Sequence, residues 1–440
     1  MLKWRTINLS PPQLLILLFL IFQLLGTGLL MLPVATVEPI HWIDAFFTIT
    51  SAMTVTGLVV FDTGTIYTTF GEVIIMLWIQ LGGLGIMSFA VLVFIMLGKK
   101  IGFKERILIQ QSLNQTSLGG VILLVKRLFL FSFIIEGIAM ACLATRWVPE
   151  FGWGKGLYFS LFHSISAFNN AGFGLLPDNM MRYVGDPVIN IVITFLFIVG
   201  GIGFTVLVDM WVKPSFRKLS LHSKLMIIGT LVLNSVAMII IFLLEKDNPG
   251  TMGKLSGMEK FWASYFQAVS PRTAGFNSID LVQLKDPTAF FMMLLMFVGA
   301  GSASTGGGIK LTTFLVIIFA VIMHLQGKNK MVIRKRTIDI SVVYKSLSIA
   351  TISVLFVFLS IFILSITEKA DFVTIIFEVI SAFGTVGLSM GLTYELTWIG
   401  KIVIIFTMFL GKVGPLTLAF TLAKPKTEKV GYPTEDILAG

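Results

Sequence analysis

The chain has 440 residues, of which 56% are hydrophobic and only 13% charged, and its mean hydropathy is +0.92. That composition excludes an ordinary water-soluble domain and makes the bilayer the solvent. The net charge of +10 is no nucleic-acid signal, because the excess cations gather in loops on one side of the apolar segments, facing anionic lipid.

The first repeat is expected over residues 1–100. Its opening apolar span, Gln13 to Leu32, follows Lys3 and Arg5 but is too long for the core of a cleaved signal. The segment Trp42 to Ala52 is too short to cross a membrane and reads as a re-entrant pore helix. It leads into the string Thr54-Val55-Thr56-Gly57, and a second span runs from Val73 to Leu97.

The same order recurs over 101–215, with a span from Leu128 to Ala144, a short segment from Leu157 to Ala167, the string Asn169-Asn170-Ala171-Gly172, and a span from Val188 to Val212. Cys142, the single cysteine, lies in the first of these spans, so no internal disulfide or thiolate metal site is expected. It reads as packing.

The third repeat, 216–330, contains Leu225 to Leu244, Phe261 to Val269, Arg272-Thr273-Ala274-Gly275, and an apolar stretch from Phe290 to Met323. That last stretch is too long for one crossing. It is interrupted by Gly301-Ser302-Ala303-Ser304-Thr305-Gly306-Gly307-Gly308, too rich in glycine to remain helical, so a broken helix with an intramembrane gate loop is expected. The run is no nucleotide-binding loop, because Gly306 is followed by Gly307 where Lys and Ser or Thr are required.

The fourth repeat, 331–440, has Leu347 to Ile366, Phe372 to Ala382, Gly384-Thr385-Val386-Gly387, the span Ile402 to Leu422 and a cytoplasmic C-terminal tail. Lys412 occupies the place held by the small residues Gly83, Gly201 and Ala300 in the other second spans. An ionisable side chain at membrane depth is a functional candidate. It would repel cations in the pore or hold the Gly-rich loop.

Four similar units imply an all-α polytopic membrane protein in which transmembrane helix, pore helix, filter loop and transmembrane helix repeat around a central pore with pseudo-fourfold symmetry. The string glycines lie between 103 and 115 residues apart, and an aromatic stands ten residues before each, at Phe47, Phe162, Tyr265 and Phe377. Ser51, Ser166 and Ser381 share an offset of six from the glycine, while the third repeat departs with Val269-Ser270. Irregular backbone at membrane depth is tolerated only where it is buried in protein or lines water. A ring of carbonyls at Gly57, Gly172, Gly275 and Gly387 would replace the hydration shell of a potassium ion, with Thr385-Val386-Gly387 matching the start of the potassium-channel filter. Arg272 beside such a filter is expected to point behind it, to Glu378 or to solvent.

Orientation follows from the cations. Both termini and the loops after the second, fourth and sixth spans collect two thirds of all Lys and Arg, with Lys310 counted among them, which puts both termini in the cytoplasm of a plasma-membrane protein.

With TVTGL, NNAGF, RTAGF, GTVGL, the GAGSASTGGGIK loop and FLGKVGPLT together on one chain, the sequence resembles the Trk/Ktr/HKT superfamily of potassium transporters, and specifically a bacterial Ktr-type membrane subunit. The resemblance implies a homodimer with one pore per protomer, assembled on a cytoplasmic ring of nucleotide-binding regulatory subunits that carry ATP or ADP. It also implies potassium as the transported ion, sodium stimulation, and no organic cofactor on this chain. Many members of the family carry arginine where Lys412 stands. Against this reading, a sodium- or proton-coupled symporter would show inverted repeats and intramembrane carboxylates. An enzyme would need a clustered site, whereas His41, His163, His222 and His324 are scattered.

Overall fold

The structure, a computed structural model, describes residues 11–85, 88, 121–328 and 330–414. Four outer helices, Pro11–Leu30, Val121–Phe151, Leu221–Glu245 and Ile340–Thr367, are long and apolar enough to cross a bilayer. Only 17% to 33% of their most apolar windows is buried inside the protein, and Phe133, Ile138, Leu231, Ile239, Leu355 and Phe358 stand exposed on them. That surface requires lipid.

Inside lie four pore helices, Trp42–Thr54, Trp153–Phe168, Gly257–Val269 and Phe372–Gly384. Each is followed by an inner helix: Thr69–Leu84, Pro187–Ile202, Asp286–Phe297 and Trp398–Val413. The inner helix of one repeat packs on the pore helix of the next. Tyr158 donates to Glu72 over 2.8 Å between the first inner and second pore helices, and the Thr194 and Tyr265 hydroxyls meet at 3.0 Å between the second and third. The circle closes where Lys401 on the fourth inner helix pairs with Asp44 on the first pore helix at 2.6 Å.

The sequence offered either a bend or a close approach at the small residues midway along every second span and a broken helix in the third; in the structure the inner helix ends near that point in all four. Gly85, Gly203 and Gly414 end the first, second and fourth inner helices with φ of 85°, 106° and 92°, a conformation that glycine adopts without the steric cost met by other residues. In the second repeat the chain continues as Phe204–Val212 at 93° to the preceding helix. The expected spans to Leu97 and Leu422 end outside the described residues, as do the tail and the end of the first repeat near residue 100. In the third repeat residues 298–310 separate the inner helix from Leu311–Leu325. A short antiparallel hairpin, Met331–Ile333 with Arg336–Ile338, then joins the third repeat to the fourth.

The third repeat also departs in register. In the other three, the amide just before the string glycine bonds the carbonyl five residues back, as from Thr56 to Ser51, Ala171 to Ser166 and Val386 to Ser381. In the third, Ala274 bonds Ser270, only four back. One residue is missing between helix and loop, so Ser270 takes the place of Ser51, Ser166 and Ser381. The buried aromatic equivalent to Phe47, Phe162 and Phe377 is consequently Phe266 and not Tyr265; all four phenylalanines are fully buried.

Candidate functional site

The four string glycines meet. A Cβ on Gly57 would stand 2.5 Å from the Ala171 carbonyl oxygen, one on Gly172 2.8 Å from Gly275 Cα, one on Gly275 2.6 Å from the Val386 carbonyl oxygen, and one on Gly387 2.9 Å from Gly57 Cα. Each glycine therefore touches the next repeat's loop, and the fourth returns to the first. All four have positive φ, from 70° to 94°, so any side chain there meets both backbone strain and a neighbouring main chain.

Two residues earlier, Val55, Asn170, Thr273 and Thr385 all take left-handed φ between 49° and 64°. For a non-glycine residue that costs on the order of 1–3 kcal/mol, and four repetitions mark it as a constraint of the site. The serine at the end of each pore helix holds the turn. Ser51 and Ser381 accept from the Gly57 and Gly387 amides at 3.1 Å, while Ser166 donates to the Phe173 carbonyl at 2.7 Å and Ser270 to that of Phe276. The helix C-termini thus end beside the ring, with the negative ends of their dipoles toward it.

On one side the ring opens into a cavity of about 220 Å³. Its walls include all four glycines together with Asp62, Asp178, Asp280 and Tyr394. Acidic side chains around a recessed mouth raise the local concentration of cations.

On the other side lies the Gly-rich loop. The Gly301 and Thr305 amides bond the Gly201 and Gly200 carbonyls at 2.8 and 3.3 Å, and the Gly308 amide bonds the Gly411 carbonyl at 3.1 Å. Side chains of the left-handed residues form its seat: Thr305 Oγ1 donates to Asn170 Oδ1 at 2.7 Å, the Gly307 amide donates to Thr385 Oγ1 at 2.8 Å, and Gly306 packs against Thr273. Ser304 Oγ bonds Gly301 within the loop, and the Ala303 carbonyl accepts from Phe204 at 2.7 Å. Ser302 Oγ meets Thr312 Oγ1. Lys412 Nζ donates to the Thr305 carbonyl at 2.6 Å.

Lys310 does not belong with the cytoplasmic rim. It lies inside the broken span, its Nζ 2.5 Å from the Gly306 carbonyl and 3.4 Å from that of Gly307. Two ammonium groups converge on one loop. The position of Lys310, two residues after the glycine run and within an apolar stretch of the sequence, was the signal that it does not lie on the rim.

Thr54, Asn169 and Arg272, counted with the filter strings, turn back into the packing. Thr54 Oγ1 bonds the Thr50 carbonyl at 2.7 Å and Thr56 Oγ1 at 2.8 Å, whereas Gly384 carries no side chain. The partner of Arg272 is Asn234 on the third outer helix, at 3.4 Å. Glu378 is taken instead by Ser389 and Thr393 on its own repeat. Sequence reading also missed Glu136, which is 4% exposed on the second outer helix and bonded to Ser132 and Gln80.

Fold and ring together define a multi-pass membrane protein with a four-loop passage. The profile of the TrkH family, described as a cation transport protein, matches residues 11–430, and the chain belongs to that family of transporters. Over 438 residues, covering 100% of this chain and 98% of the relative, it is 57% identical to the Ktr system potassium uptake protein B of Bacillus subtilis. It is 44% identical to the protein of the same description from Vibrio alginolyticus, over 98% of this chain and 95% of that one. The crystal structure of the potassium transporter TrkH from Vibrio parahaemolyticus superposes with a TM-score of 0.73 at 19% identity, over 95% of this chain and 86% of the other. That likeness supports the fold.

Proposed function

We propose that this chain carries potassium into the cell across the plasma membrane, with Gly57, Gly172, Gly275 and Gly387 presenting carbonyls to the dehydrated ion. The closed ring of positive-φ glycines carries the reading. Carbonyls arranged around an axis substitute for water, pore-helix dipoles favour the cation, and the acidic mouth concentrates it. The potassium-uptake descriptions of the two relatives support the choice of ion.

The loop from Gly301 to Gly308 acts as the gate. It lies against three of the four filter loops and is held by two ammonium groups, which raise the barrier to a cation leaving the filter. Opening is controlled by a cytoplasmic ring of nucleotide-binding subunits carrying ATP or ADP, bound to a dimer of this chain whose termini both face the cytoplasm. The relatives' description as one component of a Ktr system supports a regulatory partner. Sodium stimulates transport.

A coupled symporter finds support in buried carboxylates such as Glu136 and Glu378. Both are occupied by neighbouring side-chain donors, and neither borders the cavity over the ring. Rubidium uptake into proteoliposomes at clamped voltage, with and without sodium, separates the readings. Uptake that follows the potassium gradient without sodium or a proton gradient fits the pore, and strict dependence on either overturns it.

A further inference from the structure

We propose that Glu136, remote from the passage, sets ion selectivity by fixing the direction of a chain of amides that ends on the second filter loop; this rests on reading the four loops as a filter. The second outer helix supplies Ser132 and Glu136, four residues apart and on one face. Ser132 Oγ donates to Glu136 Oε1 at 2.7 Å, and Gln80 Nε2 on the first inner helix lies 3.1 Å from both carboxylate oxygens. Gln80 then turns its other end to the loop, where Asn169 Nδ2 donates to Gln80 Oε1 at 2.6 Å, to the Ile165 carbonyl at 2.8 Å and, over a longer 3.4 Å, to Glu136 Oε1 itself. Every residue of the chain is buried.

With Glu136 ionised, as the proposal requires, its carboxylate only accepts hydrogen bonds. Gln80 must therefore present its NH2 to Glu136 and its carbonyl to Asn169, and Asn169 must present its NH2 to both Gln80 and the end of the pore helix. The sense of each amide follows from the charge at the far end. Asn169 is covalently followed by Asn170, whose φ is 58° and whose Oδ1 accepts from Thr305 of the gate loop. Glu136 thus fixes a loop that faces both the ring and the gate.

The third repeat provides the contrast. Thr230 and Asn234 hold the places of Ser132 and Glu136, Ile198 that of Gln80, and Arg272 that of Asn169; Arg272 reaches only Asn234, at 3.4 Å, among the described residues. The directed chain belongs to the second repeat, so its loss changes one loop and leaves the other three.

The test is competitive uptake of labelled rubidium and sodium by proteoliposomes holding the full chain, compared with its melting temperature in detergent. Glu136→Gln replaces one acceptor oxygen by an NH2 group beside Gln80, so the sense of the amides is no longer fixed, and should lower the rubidium-to-sodium ratio about tenfold, as expected for loss of a charge-assisted bond. Gln80→Met breaks the same chain from another helix and should shift the ratio likewise, while Ser132→Ala should keep it. Gly172→Ser, which alters the ring itself, serves as reference. If Gly172→Ser shifts the ratio while folded Glu136→Gln and Gln80→Met match the parent, the directed chain is wrong and the filter stands. If none shifts it, the filter reading falls as well.

Discussion

Lys412 Nζ donates to the Thr305 carbonyl oxygen across 2.6 Å, joining the fourth inner helix to the loop that interrupts the third repeat. The place is held by a small residue in each of the other repeats, so the bond exists once per chain. A hydrogen bond from a charged donor contributes about 1.5–3 kcal/mol. Lys412→Ala should therefore release the proposed gate and raise rubidium uptake about tenfold at equal protein content, whereas Lys412→Arg should hold or tighten closure because its fork offers more donors. Slower uptake by the alanine form would assign Lys412 to folding alone.

Lys310 approaches the same loop from the other end. Lys310→Met keeps the stem and removes the ammonium, so it should also raise uptake. Because both lysines restrain one segment, the double variant should raise uptake by less than the product of the two single effects. Multiplicative effects in a double-mutant cycle would mean that the lysines act on separate barriers.

Deleting part of the 301–308 loop should raise flux further and weaken dependence on the cytoplasmic partner. Gly307→Ala asks the same question more gently, since its Cβ would stand 2.6 Å from Thr385 Oγ1 and 3.0 Å from the Gly411 carbonyl and must push the loop from its seat. Lower flux with normal membrane insertion in both variants would make the loop a strut.

The ion pair between Asp44 and Lys401 spans 357 residues of sequence and closes the ring of repeats. Asp44→Asn leaves a largely buried ammonium without its carboxylate, which should destabilise the protein by about 3 kcal/mol. Thermal unfolding in detergent checks it, and an unchanged midpoint would place the closure energy in the surrounding apolar contacts.

The repeat was legible because each unit carries the same local demand. A short apolar helix, a serine at its end and a glycine that must take positive φ leave marks at fixed offsets, and Gly57, Gly172 and Gly387 are found with their serines where those offsets put them. The third repeat hid its register because a single deleted residue shifts every earlier position, so counting back from Gly275 reached Tyr265 when the buried ring is Phe266. Helix ends at Gly85, Gly203 and Gly414 were less legible, since glycine inside an apolar run signals equally a close approach or a stop, and here neighbouring glycines serve each purpose. Gly82, Gly200 and Gly411 pack against the Met53, Phe168 and Phe383 carbonyls, three residues before those stops. Glu136 and the Asn234 partner of Arg272 left no local pattern, because Gln80 and Arg272 reach them from distant parts of the sequence.

The central claim is that the four glycines form one ion-selective ring. Gly57→Ser tests it most directly, through the rubidium-to-sodium ratio of uptake into proteoliposomes at fixed voltage. With φ of 94° and the Ala171 carbonyl 2.5 Å from any Cβ, serine must displace the adjoining loop, so the account predicts a ratio that falls toward unity in a protein that still inserts and transports. A normally folded Gly57→Ser protein with the parent's ratio would contradict it.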